Sequence, residues 1–163
     1  MPFTAAVLTV SDSSAAGQRP DLSGPAVAST LEQAGFRVVA RQQVRDHQPD
    51  IEVRLMELCR QAQLVVTTGG TGIAERDLTP EATRSVADRI VEGVAERMRS
   101  EGAKKTPFAA LSRGLCAVRG RSLILNLPGS PPAAADSLAA VLEILPHALE
   151  LLAGKTSHGT GDI

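Results

Sequence analysis

The run Leu64-Val65-Val66-Thr67-Thr68-Gly69-Gly70-Thr71-Gly72, followed by Arg76-Asp77-Leu78-Thr79-Pro80-Glu81, constrains this chain more than any other segment. Leu64, Val65 and Val66 read as a strand buried on both faces. The strand breaks into three glycines within four positions, where backbone can approach a ligand closely and present bare N–H groups. A helix is expected to open at Thr79 as N-cap, with Pro80 at its first position. Between loop and helix stands one carboxylate, Asp77. Strand, bare loop, acid and helix N-terminus together suit a phosphorylated ligand and its Mg²⁺. Neither common phosphate loop is present, because no Gly-Lys-Ser/Thr follows the glycines and the spacing is not G-x-G-x-x-G.

The flanking sequence alternates strand and helix patterns. Ala5 to Val10 reads as a first buried strand, and a polar loop runs from Ser11 to Ser23. Val27, Ala28, Leu31 and Ala34 recur at helical spacing after Pro25, and Gly35 stops that helix. Phe36 to Val44 alternates as a second strand nearer an edge. Asp50 is expected to cap a helix carrying Ile51, Leu55, Leu58, Cys59 and Ala62. Two helices, 80–89 and 91–101, should follow the third strand, the second ending at Gly102. Leu115 to Val118 suggests a short strand within the otherwise ambiguous 103–121. Ser122 to Leu127 is a further strand, closed by Pro128-Gly129-Ser130-Pro131. A last helix runs through Leu138, Leu145 and Leu152, kinked or restarted at Pro146. The expected architecture is α/β: a mostly parallel sheet of five or six strands in a three-layer arrangement with helices on both faces. Residues 1–154 form one domain, and 155–163 a loose tail.

In such a sheet the segments after the strands gather on one edge. Here they are Ser11-Asp12-Ser13, Asp46-His47, Gly69 to Asp77, and Asn126 to Pro131. Taken alone, Asp46 fits a turn and Asp77 a helix dipole. Taken together, two acids after adjacent strands can share a metal ion. Ser112 and Arg113 could hold an anion, but Ser112 has no neighbouring base and is a poor nucleophile. Asn126 to Gly129 fits a plain strand exit as well as a site. His47, His147 and His158 form no ligand pattern.

Net charge −1 and 2% aromatics, with no Trp or Tyr, leave no basic or stacking footprint for nucleic acid. The two cysteines, Cys59 and Cys116, read as buried reduced thiols. No apolar run approaches the roughly 20 residues of a membrane span, and the start lacks a signal-peptide pattern, so the expected location is cytoplasmic.

Four segments in register resemble one family. Thr68-Gly69-Gly70-Thr71-Gly72, Arg76 to Thr83, Thr106 to Arg113, and Asn126 to Pro131 are similar to those of the molybdopterin adenylyltransferases, which are akin to the plant and gephyrin G domains. The likeness runs from Ala6 to about Gly154 and includes Ser11-Asp12 and Asp21 to Pro25. It implies Mg²⁺-dependent adenylylation of molybdopterin by ATP, releasing pyrophosphate. The catalytic and metal-binding acids would be Asp46 and Asp77. Ser11, Asp12, Gly69, Gly70, Thr71, Gly72, Ser112, Arg113, Asn126, Pro128, Gly129 and Ser130 would line the nucleotide and pterin pockets, with Ser112 on the pterin side. Such transfers rely on positioning and charge neutralisation, to which Arg76 or Arg113 would add.

The resemblance also implies a homotrimer and leaves open a handover to a molybdenum-insertion protein. Arg45-Asp46-His47 departs from the family, which usually places another acid after this aspartate. The competing readings are a pterin-binding paralogue without turnover, and a nucleotide hydrolase akin to the competence-damage proteins.

Overall fold

The computed structural model describes residues 2–155. His158 and the expected tail from residue 156 lie outside them. Strands β1 (Thr4–Val10), β2 (Arg37–Val44), β3 (Leu64–Thr68), β4 (Arg89–Ile90), β5 (Cys116–Arg119) and β6 (Ser122–Leu127) form one sheet in the order β2-β1-β3-β6-β5-β4. The first four run parallel, and β5 and β4 are antiparallel additions. β2 is an edge, and β3 lies inside the sheet, as the sequence leads one to expect.

Helices cover both faces. Alternation along the buried strands assigns each side chain to one of two cores. Ala5, Val7, Leu64, Val66, Leu123 and Leu125 face α2 (Ser23–Gln33), α5 (Glu92–Ala103), α6 (Pro131–Val141) and α7 (Leu145–Leu152). Ala6, Leu8, Val65 and Ile124 face α3 (Gln48–Gln61) and α4 (Thr79–Val86). The chain thus leaves β1 on one face for β2 and returns over the other face to β3. This reversal opens a crevice beyond the carboxyl ends of β1 and β3. Among the described residues no helix is long and apolar enough to cross a membrane.

Several boundaries differ from expectation, each for a tertiary reason. α3 starts at Gln48, and Asp50 sits in its first turn, accepting from Arg45 Nε at 2.6 Å rather than capping. Thr79 is already inside α4, and its hydroxyl donates to the Gly69 carbonyl at 2.9 Å. α4 ends at Val86, because Arg89 and Ile90 pair with β5. The loop after β1 contains a single helical turn, α1 (Asp12–Ala15), with Ser11 as its cap. Pro107–Leu111 is a 3₁₀ turn capped by Thr106. The leucine-rich C-terminal helix divides into α6 and α7, and Pro146 falls in the first turn of α7.

Gly69 has φ +103°, and a Cβ there would collide with the Val10 carbonyl oxygen. Gly35 has a similar φ of +95°, but open space around it. Gly35→Ala is therefore expected to cost about 1–2 kcal/mol of backbone strain. Gly69→Ala should cost distinctly more, since backbone must move as well. Urea denaturation of both variants checks this, and equal losses would show that the close approach of β1 and the loop is unimportant.

Candidate active site

The ends of β1, β3 and β6 bring most of the expected segments into contact. Gly69 N–H donates to the Leu127 carbonyl at 3.0 Å, and Thr68 Oγ1 donates to the Pro128 carbonyl at 2.7 Å. A Cβ on Gly129 would lie 3.2 Å from Gly69 Cα, so the two loops meet backbone to backbone. Gly70 has φ +67°, and a Cβ there would strike Thr79. The N–H groups of Gly70, Thr71 and Gly72 donate to no described residue. They form a bare amide rim suited to an anion.

Two cavities open on either side of this contact. The larger, about 540 Å³, is walled by Met98, Phe108, Leu111 and Ser112, with Arg99 and Lys105 at its edge. The smaller, about 290 Å³, is lined by Ser11, Asp21, Asp46 and Gly69. Gly70, Asp77 and Gly129 belong to both and form the wall between them.

Asp77 lies at this wall and Asp46 lines the smaller cavity, whereas Asp12 lines neither. Asp12 and Asp46 bond reciprocally: Asp12 N–H donates to Asp46 Oδ2 at 3.0 Å, and Asp46 N–H donates to Asp12 Oδ1 at 2.9 Å. Arg76 Nε donates to Asp12 Oδ2 at 2.7 Å, tying the glycine loop to this pair. Asp77 Oδ2 accepts from Ala74 N–H at 3.0 Å. Asp46 Oδ1 and Asp77 Oδ1 accept from no described residue.

Burial pushes the Asp46 carboxyl above its usual value, and the Asp12 and Asp77 charges push the same way against the bond from Asp12 N–H. The Arg76 hydrogen bond holds Asp12 below its usual value. No cluster of three His, Cys, Asp or Glu ligands occurs among the described residues. Two carboxylates with free oxygens fit Mg²⁺, which is held by one or two acids plus substrate phosphates and water.

Other expected residues are engaged in contacts within the protein. Arg113 does not line either cavity, and its guanidinium is taken up by Glu81 and by the carbonyls of Gly72 and Asp77. Asn126 borders the larger cavity, but its amide donates to Thr67 and Thr83 and accepts from Leu115 N–H, each at 3.0 Å. It knits β6 to β3 and α4. Ser130 lines the larger cavity and also caps α6, and His47 Nδ1 lies 3.2 Å from Asp50. Burial pushes the Cys59 thiol up to about 11 and that of Cys116 up to about 12, so neither is a ready nucleophile.

Asp21 is a residue that the sequence reading left out of the site. It accepts from Thr9 Oγ1 at 2.8 Å and from Gly24 N–H at 2.9 Å, fixing the wall of the smaller cavity. Its position in Asp21-Leu22-Ser23-Gly24-Pro25, just before a helix start, is the signal that was there to find. Arg99 and Lys105 carry no such signal.

Residues 6–147 match a family model described as a probable molybdopterin binding domain. A molybdopterin adenylyltransferase from Haemophilus influenzae is 44% identical over 140 residues, 83% of this chain and 71% of that protein. One from Helicobacter pylori is 40% identical over 152 residues, 91% of this chain and 86% of that protein. The crystal structure of a molybdopterin biosynthesis enzyme from Thermus thermophilus is 52% identical and covers 94% of this chain and 98% of its own, with a TM-score of 0.86.

The electrostatics of the acid pair can be read directly. In the metal-free protein, carboxyl-carbon NMR should find Asp46 titrating above 3.8 and Asp12 below it. Arg76→Gln removes the hydrogen bond that favours the charged form and should move Asp12 upward. An Asp12 unmoved by that change would refute the Arg76 contact.

Proposed function

Since this chain belongs to the molybdopterin-binding domain family, we propose that it adenylylates molybdopterin with ATP and Mg²⁺ in molybdenum cofactor biosynthesis. The observation that carries this reading is the pair of cavities sharing Gly70, Asp77 and Gly129. A transfer between two substrates needs two chambers and one meeting point. The larger chamber, with its apolar walls and Ser112, takes the pterin. The smaller one receives the nucleotide phosphates beside Asp46 and Gly70.

In this reaction a terminal phosphate oxygen of molybdopterin attacks the α-phosphorus of ATP. The new O–P bond forms as the bond to the β-phosphate oxygen breaks, and pyrophosphate leaves with the electron pair. Mg²⁺, when bound, neutralises charge on the phosphates. Asp46 and Asp77 would hold it. The Gly70, Thr71 and Gly72 amides cradle phosphate oxygens. Gly69 and Gly129, lacking side chains, let the two substrates come within reaction distance. No protein nucleophile is required. The family resemblance further supports a cytoplasmic homotrimer whose adenylylated product leaves for a molybdenum-insertion protein.

Asp46→Asn and Asp77→Asn keep the shape of each side chain and remove its charge. Each should lower turnover about 100-fold or more, the scale of losing one preorganised electrostatic group. Pterin binding and melting temperature should change little, because both residues lie in loops. Incubation with molybdopterin, ATP and Mg²⁺, scored for adenylylated pterin, is the test. A wild-type chain that binds pterin but forms no adenylylated product would reduce the function to binding alone.

Light scattering at micromolar concentration should give three times the 17.0 kDa chain mass. A monomer mass would refute the trimer.

A further inference from the structure

Arg113 carries a more specific role than the anion contact its sequence position suggests. Its Nε donates to the Gly72 carbonyl at 2.8 Å, and Nη2 donates to the Asp77 carbonyl at 2.7 Å. Nη1 and Nη2 also form a fork with the two Glu81 carboxylate oxygens, at 2.6 and 3.0 Å. Its own N–H donates to the Thr71 carbonyl at 2.8 Å. One residue from the segment before β5 therefore grips the glycine loop, the Asp77 backbone and the first turn of α4.

The grip matters because the 72–77 segment has few other anchors. Asp77 bonds back to Ala74 in both directions, which closes the turn but does not attach it to the body. The remaining tie is Arg76 to Asp12 and the Asp46 carbonyl, and the Arg76 side chain is 67% exposed. We propose that Arg113, held by Glu81, is a positioning residue that sets the Asp77 carboxylate and the Gly72 amide at the wall between the two cavities. This rests on the reading of Asp77 as a ligand for a divalent cation. Arg113 lines neither cavity and acts only through Asp77 and Gly72. Lysine is no substitute, since a point charge cannot make the planar fork and two carbonyl bonds together.

The test is a titration of the full chain with Mn²⁺ alone, followed by water-proton relaxation, for wild type, Arg113→Lys, Glu81→Gln and Asp77→Asn. Arg113→Lys should weaken Mn²⁺ binding and lower kcat by about 10–100-fold, as for other supports of metal ligands. The KM for pterin should stay within about two-fold of wild type, because ground-state binding is untouched. In the Asp77→Asn background Arg113→Lys should have no further effect on Mn²⁺, since both act through one group.

If Arg113→Lys fails to fold, Glu81→Gln decides the matter with a smaller loss in the same direction. Mn²⁺ binding unchanged in the folded variants, a loss that multiplies with Asp77→Asn, or no Mn²⁺ binding by the wild type would each overturn the proposal. A wild type that binds Mn²⁺ through Asp77 yet transfers no adenylyl group would sink the functional reading and leave the positioning role standing.

Discussion

Steric crowding of backbone at the carboxyl ends of β1, β3 and β6 is the constraint on which the site depends. Gly69 sits against the Val10 carbonyl, Gly129 packs on Gly69, and the sheet beneath is buried on both faces. No side chain larger than hydrogen fits at these points without moving main chain. The cores hold the strands in register through Ala6, Val65 and Ile124 on one side and Val7, Val66 and Leu125 on the other. Close packing makes that register stiff. Stiffness below converts three separate loops into one continuous wall.

Charge is handled in two ways around that wall. The acid pair Asp12–Asp46 is balanced by Arg76, an exposed cation on a loop, while Glu81 is balanced by Arg113 in a two-bond fork. The Arg113 hydrogen bonds hold the Glu81 carboxyl below the usual range. Asp46 and Asp77 each keep one carboxylate oxygen that no described residue engages.

The strand and helix alternation was legible because each element is long or strongly periodic, and β3 with its glycines was legible down to single residues. The errors share one physical source: a side chain claimed by a partner that local spacing does not single out. Thr79 looks like a cap from local spacing, yet its hydroxyl is claimed by Gly69. Asp50 looks like a cap, and Arg45 takes it. Arg113 looks like a free cation next to Ser112, and Glu81, 32 residues away, takes it. Asn126 looks like a turn residue, and the hydroxyls of Thr67 and Thr83 use its amide. Asp46 and Asp77 follow β2 and β3, which are not adjacent as expected, since β1 lies between them; their loops share an edge because all three strands run parallel. The short α1 turn has no periodic signal to read.

Several of the ties that build the wall are long in sequence: 34 residues from Asp12 to Asp46, 64 from Asp12 to Arg76, 36 from Asp77 to Arg113. Gly129, the last contributor, follows β6. During synthesis, then, a ribosome-bound chain that already displays its glycine loop and both acids has nowhere to seat them. Loop closure over such separations is resisted by chain entropy until the sheet has formed. The seating of the glycine loop and of both acids is therefore tied to the closure of the central sheet rather than to any local segment.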